Sequence, residues 1–522
     1  QDSNSRWVFE RINGNLKGYA RLDNQLVTKH IVKGRCQYFS EYLAEHAEAE
    51  AFFRPLMGAY GPTHLNREAY LKDLMKYSSS IVVGKVDTDL FEIAVQNVIT
   101  IMEEIGFTQC EYITDAPTVV SSLNLNAAMG ARFKGKKRLF FEDMSDEQCE
   151  FYVQHSCKRL FTGQMGIWNG SLKAELRPKE KLEQNKTRTF TAAPIDTLLG
   201  GKVCVDDFNN KFYALHIKGP WTVGMTKFYK QWDRLLNELP DGWVYSDADG
   251  SQFDSSLTPY LINAVLNIRL HFMEEWDLGA QMLSNLYTEI IYTPIATPDG
   301  TIVKKHKGNN SGQPSTVVDN SLMVCLAMQY SLLKNGIILD AQRDIIRYFV
   351  NGDDLLVAVN PDFEYLYDKF SDNFQELGLN YTFSATTHKS DLWFMSHVGI
   401  KRDGIWIPKL EPERIVSILE WDRSTQIEHR LEAICASMIE AWGYDDLLKQ
   451  IRLFYRWLLN HENIQECYLT GHIPYVAESA LRRLYMDEEV NQNVYDSMIR
   501  MILDDFDYED ERDAIEHVYH QA

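Results

Sequence analysis

The chain is short of positive charge. Its 522 residues carry 53 Lys and Arg against 74 Asp and Glu, a formal net charge of −21. A balance of this sign opposes general attraction to nucleic acid. The sequence also lacks any run of about 18 apolar residues, so no transmembrane segment is expected. Its first residues show no signal-peptide pattern. Paired cysteines are missing too. Cys36, Cys110, Cys149, Cys157, Cys204, Cys325, Cys435 and Cys467 are scattered, with no Cys-x2-Cys among them. That scatter argues against a zinc ribbon and fits reduced thiols in a cytosolic or nuclear setting. What is left is an ordinary globular composition, 45% hydrophobic and 24% charged, in a chain long enough for several subdomains.

The charge is segregated. Residues 504–516 hold eight acidic residues and one Arg, while basic residues gather at 126–138 and 173–188. Binding answers to the local potential of a groove, so the acidic total weighs little against a nucleic-acid partner. In 173–188, Lys173, Arg177, Lys179, Lys181, Lys186 and Arg188 alternate with Glu175, Glu180 and Glu183. Alternation of this kind predicts a β-ribbon with one basic face and one salt-bridged face. A nucleoside triphosphate carries about four negative charges and needs fixed Arg and Lys donors.

The chain is organised around residues 344–359. Two apolar, β-branched-rich runs flank Asn351-Gly352-Asp353-Asp354, a strong hairpin signal. A hairpin does not need two adjacent carboxylates at its tip. A divalent cation there makes their repulsion tolerable, because hard cations take oxygen ligands. A second acidic element precedes it. Residues 243–249 read as a strand running into Gly250-Ser251-Gln252-Phe253-Asp254, and a helix follows with Thr258 as N-cap and Pro259 at its first position. Laid beside the hairpin, this strand could bring Asp249, Asp353 and Asp354 around one or two Mg2+ ions, the geometry of two-metal phosphoryl transfer. Asp247 lies two residues earlier on the same strand face and is the alternative ligand or a supporting group. A third element, Gly308-Asn309-Asn310-Ser311-Gly312-Gln313-Pro314-Ser315, is a loop opening an apolar helix near Thr316. Thr316 and Asn320 share a face of that helix.

Asp249-x4-Asp254, Ser311-Gly312-x3-Thr316-x3-Asn320 and Gly352-Asp353-Asp354, in this order, resemble motifs A, B and C of positive-strand viral RNA-dependent RNA polymerases. The stretch 173–188 resembles motif F of the same family, Thr387-His388-Lys389-Ser390 resembles motif D, and 393–399 resembles motif E, a primer-gripping hairpin. The basic loop 126–138 resembles the motif G region, with a solvated loop or a nuclear-import patch as the plain alternative. Val518-Tyr519-His520-Gln521-Ala522 looks like a potyvirus protease processing site, which narrows the resemblance to potyvirus replicases.

The resemblance implies an α+β right-hand polymerase. Its fingers would span 1–240, its palm 241–410 with a fingers insertion around 275–308, and its helical thumb 411–522. It implies Asp249, Asp353 and Asp354 as ligands of two Mg2+ ions, with Mn2+ as a substitute, and Lys389 as the proton donor to pyrophosphate. Asp254, Thr316 and Asn320 would read the ribose 2′-hydroxyl. Ser311 and Gly312 would form a flexible loop beside the nascent base pair. Lys173, Lys181 and Lys186 would line the nucleotide tunnel, with Arg188 on the nucleotide. Implied partners are the RNA template and product, NTPs, a genome-linked protein primer, the viral protease and other replicase proteins. The implied locations are replication membranes of the host cytoplasm, reached through partners, and the host nucleus. Two rivals make different predictions. A reverse transcriptase would accept dNTPs, and a non-catalytic RNA-binding scaffold would ignore both Mg2+ and Asp353.

Smaller expectations follow from periodicity. Residues 89–102 read as an amphipathic helix with Leu90, Ile93, Ala94, Val98 and Ile101 inward. Residues 363–377 read as helical and 379–384 as extended. Beyond 411 the pattern is helical and aromatic-rich, and Asp445 reads as a helix cap rather than a second catalytic pair with Asp446.

Overall fold

Three strands form the antiparallel sheet on which the acidic residues sit. In the computed structural model, which describes residues 16–21, 34–79, 85–123, 137–422, 426–464, 473–474 and 476–488, strand Asp354–Val359 lies between Ile346–Asn351 and Val244–Ala248. The period of two divides the side chains between two cores. Tyr245, Phe349, Leu356 and Ala358 face a cluster with Trp232, Leu235, Leu236 and Phe394. Val244, Ala248, Val350, Leu355, Val357 and Val359 face the largest core, which also holds residues of helices Pro259–Phe272, Thr316–Lys334 and Leu366–Glu376. Burial on both faces explains why these strands read as nearly continuous apolar runs.

Helix Thr316–Lys334 is long and apolar enough to cross a membrane by length and composition, but it is mostly buried inside the protein. It packs against helices Thr88–Glu104, Leu366–Glu376 and Pro259–Phe272, which is why it is largely apolar on every side. The helix expected at 89–102 forms, but its inward face is rotated. Phe91, Ala94, Asn97, Val98, Ile99 and Met102 are buried, while Ile93 is exposed. Asn97 is tolerated inside because it donates to Gln329 Oε1 at 3.1 Å. Thr258 caps Pro259–Phe272 as expected, accepting from Leu261 N–H. Helix Asp445–Leu459 begins one residue earlier than a capping Asp445 requires. Asp445 is its first residue and pairs with Arg402 at 2.7 Å.

A second sheet has five strands in the order Leu16–Arg21, Thr301–Lys305, Pro294–Ala296, Trp168–Leu172, Thr189–Ala192. Residues 294–305 thereby join the strands that flank the basic stretch. The β-ribbon expected over 173–188 is interrupted. Leu176–Pro178 is a strand, but Lys179–Glu183 is a turn of helix opened by Pro178. Lys, Glu and Leu are straight-chain helix formers, and five of them in a row override the alternation.

Helices Pro412–Glu420, Ile427–Ala441, Asp445–Leu459 and Glu478–Met486 build another core, and Phe39, Tyr42, Leu43 and Phe53 from helices Gln37–Glu45 and Ala47–Phe53 are part of it. The flanking segments are paired as well. Gly34–Arg35 lies on Trp421–Asp422, and Tyr60–Pro62 lies on Leu176–Pro178. Gly58 N–H donates to Glu420 Oε1 at 3.0 Å, and Tyr60 OH donates to Glu411. Residues 34–62 therefore strap the C-terminal helices to the basic stretch. Residues 126–136 of the basic loop, the acidic stretch 504–516 and residues 518–522 lie outside the described residues.

Candidate active site

Strand register brings the acids together. Ala248 pairs with Leu355, so Asp249 follows directly beside Asp354. Asn351 pairs with Asp354, leaving Gly352 and Asp353 as the turn. The turn is tied down on both sides. Gly352 N–H donates to Ser321 Oγ at 2.8 Å, and Tyr381 OH donates to the Asp353 carbonyl at 2.5 Å. Asp353 and Asp354 are half-buried and Asp249 is exposed. Burial first, then the charges of Asp354, Asp254 and Asp249, holds Asp353 well above the usual carboxylate range. Burial and Asp249 push Asp354 up to about 7, against the pull of the Met395 N–H. Every charged side chain acting on this pair is acidic. Mutually repelling, oxygen-only donors without a cation fit hard divalent ions such as Mg2+. Among the described residues no three such groups converge tightly as they stand. Asp247 is otherwise engaged, since its Oδ2 accepts from Trp393 N–H at 2.9 Å. It thereby fastens the hairpin Trp393–Phe394 and His397–Arg402 to the acidic sheet.

Asp254 stands beyond the strand in the single helical turn Phe253–Ser256. Asn320 Nδ2 donates to its Oδ1 at 3.1 Å, and Asn309 Nδ2 donates to Asn320 Oδ1 at 2.9 Å. The main chain closes the same junction, with Asn309 N–H on the Asp254 carbonyl at 2.8 Å and Gly308 N–H on Leu257 O at 2.8 Å. Gly308 has a φ of +85°, and a Cβ there would lie 2.7 Å from the Asp254 carbonyl oxygen, so only glycine fits. Burial raises the Asp254 pKa, countered by Lys76, the Asn320 hydrogen bond, Arg188 and Lys305. Thr316 is on the same helix face as Asn320 but faces the loop. Its hydroxyl lies within hydrogen-bond reach of the carbonyls of Asn310, Ser311 and Gln313, at 2.9, 3.2 and 3.2 Å.

The Ser311–Gly312 loop, expected to be flexible, is laced to strand Thr189–Ala192. Thr191 N–H donates to Ser311 Oγ at 3.1 Å and Gly312 N–H donates to Thr191 O at 2.9 Å. A Cβ on Gly312 would sit 2.5 Å from that same oxygen and 2.8 Å from Ala192 Cα. The strand directly follows the basic stretch, whose cations share one buried acid. Arg188 grips Glu175 with both Nε, at 2.7 Å, and Nη2, while Lys173 and Arg177 approach it to 3.8 and 3.9 Å. Lys186 is exposed and its N–H closes a turn onto Lys181 O at 2.9 Å.

Lys389 is not gathered with the acids. It is buried, donating to Leu236 O at 2.9 Å and to Asp241 Oδ1 at 3.0 Å, with its ammonium 5.8 Å from the Tyr245 ring centre. Tyr245 lies four residues before Asp249, or roughly 13 Å of extended chain. The hairpin at 393–402 does form as expected, around a Met395–Ser396 turn with both φ positive.

Sequence reasoning missed Lys305, Asn309 and Gln313. Lys305 is fully buried, and its Nζ lies within hydrogen-bond distance of four carbonyl oxygens, Ile290, Ile291, Lys307 and Gly308, at 2.5 to 3.2 Å. Its available signal was position. It ends a strand just before the Gly308 loop, where a lysine is read as surface.

An acidic strand pair beside an asparagine-bearing helix, with a cation-rich stretch running into the strand that holds the helix's entry loop, fits what the resemblance implied. Residues 40–459 match the family described as viral RNA-dependent RNA polymerase, and the chain belongs to that family. Its fold is the right-hand polymerase fold. The Sicinivirus 3Dpol RNA dependent RNA polymerase superposes with a TM-score of 0.69 at 13% identity, covering 94% of this chain and 100% of the other. The potyvirus resemblance is borne out as well. The chain is 61% identical over 523 residues to the genome polyprotein of Turnip mosaic virus (strain Japanese), covering 100% of the chain. It is 61% identical over 518 residues to that of Plum pox potyvirus (strain Rankovic), covering 99%. It spans 16% of the length of each of those polyproteins.

Proposed function

We propose that the chain catalyses template-directed attack of a primer 3′-oxygen on the α-phosphate of an NTP, releasing pyrophosphate, in replication of a positive-strand viral RNA. The observation that carries this reading is the register that sets Asp249 beside Asp354 with Asp353 on the turn between strands. These three carboxylates would hold two Mg2+ ions, or Mn2+ in their place, which when bound activate the attacking oxygen and hold the leaving one. Asp254 and Asn320 read the ribose 2′-hydroxyl, and Thr316 shapes the loop beneath them. Lys173, Lys181, Lys186 and Arg188 line the path of the triphosphate, while Glu175 keeps Lys173, Arg177 and Arg188 aligned. Ser311 and Gly312 carry the template side of the nascent pair. Protonation of pyrophosphate by Lys389 requires its ammonium to leave Leu236 and Asp241. On family grounds the partners are RNA, NTPs, a genome-linked protein primer, the viral protease and other replicase proteins, met at host replication membranes and in the host nucleus.

Primer extension on an RNA template tests this. Incorporation of labelled NTP is expected to need a divalent cation and to fall at least ~10³-fold in Asp353→Ala, with thermal unfolding little changed. Near-normal incorporation by that variant overturns the reading.

A further inference from the structure

A carboxamide donates at one end and accepts at the other, and its shape is nearly the same either way round. Which way Asn320 points therefore decides whether Asp254 meets an N–H or a second oxygen. Two main-chain N–H groups, whose polarity cannot reverse, settle the matter. Ser315 N–H donates to Gln313 Oε1 at 2.8 Å, leaving Nε2 to donate to Asn309 Oδ1 at 3.1 Å and to Asp319 Oδ2 at 2.9 Å. Asn310 N–H donates to the same Asn309 oxygen at 3.0 Å. With that oxygen doubly engaged, Asn309 must turn its NH2 to Asn320 Oδ1, and Asn320 must turn its own NH2 to Asp254. The far end of the relay is rigid. Asp319 is held by Arg269 at 2.8 Å and by Tyr287 OH at 2.7 Å, and Asn309, Gln313, Asp319 and Arg269 are all buried. A buried polar chain satisfied in one direction only is costly to reverse.

We propose that Asn309, backed by Gln313, is a specificity-determining positioning residue. It fixes the orientation of Asn320, so that Asp254 is held by one oxygen and keeps the other to accept from a ribose 2′-hydroxyl. The inference rests on the polymerase reading given above. It deepens that reading by locating ribose selection in a buried relay beneath the residues that touch the sugar. A neutral packing role for Asn309 would affect NTP and dNTP use alike. An orienting role affects their ratio.

The test uses Asn309→Asp in the full chain. The variant preserves size but sets a second oxygen against Asn320, which then reverses and presents its own oxygen to Asp254. Primer extension on an RNA template with matched ATP and dATP gives kcat/KM for each. The NTP/dNTP ratio is expected to fall about tenfold or more. An unchanged ratio, or a proportional fall in both, overturns the inference. If Asn309→Asp does not fold by circular dichroism, Asn309→Ala removes the donor without adding charge and carries the same comparison. Asn320→Ala, measured in parallel, separates the two levels. If it lowers the ratio while the Asn309 variant does not, only the relay is wrong. If it also keeps the wild-type ratio, the 2′-hydroxyl reading fails and takes the relay with it.

Discussion

Lys305→Met removes an ammonium from a place that water does not reach. Lys305 is fully buried, and burial drives its pKa well down while Asp254 opposes the shift. Methionine matches the reach of the stem and donates nothing. Of the four carbonyls, Ile290 O keeps Thr293 Oγ1 at 2.8 Å and Asn310 Nδ2 at 3.3 Å. The carbonyls of Ile291, Lys307 and Gly308 lose their Lys305 donor. At ~1–3 kcal/mol each, the gross cost is ~3–9 kcal/mol. Relief from holding an ion in the interior offsets part of this and leaves a net of ~3–5 kcal/mol. Global melting reports it poorly. The unfolding entropy of a chain this long is roughly 1 kcal/mol/K, so the shift is only a few degrees. A molecule with several cores does not melt in one step either. Amide exchange at Gly308 and Asn309, whose N–H groups bond Leu257 O and Asp254 O, is the better probe. A local loss of ~3–5 kcal/mol speeds their exchange roughly a hundred- to several-thousand-fold, and Lys305→Arg, which keeps the charge, falls between. Exchange at both amides within tenfold of wild type in Lys305→Met refutes the reasoning.

Three further outcomes are expected. Burial and the neighbouring Asp249 push Asp354 up to about 7 from an ordinary value of ~3.9. In the chelator-treated protein the contribution of Asp354 to stability therefore grows as pH falls from 7 towards 4 and is lost as pH rises. Mg2+ favours the ionised form, so its thermal stabilisation should be larger at pH 8 than at pH 6. Asp354→Asn should shrink that difference, leaving the part due to Asp353, and equal Mg2+ effects at the two pH values in wild type would count against it. Gly312→Ala places a methyl against Thr191 O and Ala192 Cα, both main chain, and should cost ~1–3 kcal/mol and slow primer extension, read by proteolysis and incorporation assays. Glu175→Gln leaves Arg188, Lys173 and Arg177 without their common counter-ion. It should raise the NTP KM more than it lowers kcat, and an unaltered KM in steady-state assays would remove Glu175 from the substrate path.

The sequence told most where chemistry constrains several neighbouring residues at once. The hairpin at 346–359 was legible because β-branched runs meet an Asn-Gly turn, and the cap at Thr258 because Pro259 follows it. Side-chain partners were not legible. Lys389 was expected beside the pyrophosphate as its proton donor but is buried against Leu236 and Asp241, because the fold brings the Leu236 carbonyl to it from 153 residues away. The inward face of helix Thr88–Glu104 was misjudged because Asn97 counts as polar in any pattern, yet it finds Gln329 inside. Lys179–Glu183 alternated in charge like a strand and folded as a helix, since local propensity and alternation gave opposite answers and propensity prevailed. Asn309 carries no charge and no periodic signal. Its part emerges only when hydrogen-bond direction is traced through space.

The strap formed by residues 34–62 has a topological consequence. It makes the molecule a loop closed by side chains rather than an open hand, since its aromatic residues are shared with the C-terminal helices and its strands are zipped to both sides. Parting those sides means pulling Phe39, Tyr42 and Phe53 into water, at about 1.5–3 kcal/mol apiece. On the polymerase reading proposed above, an RNA strand lying between those sides would enter end-first, like a cord through an eyelet.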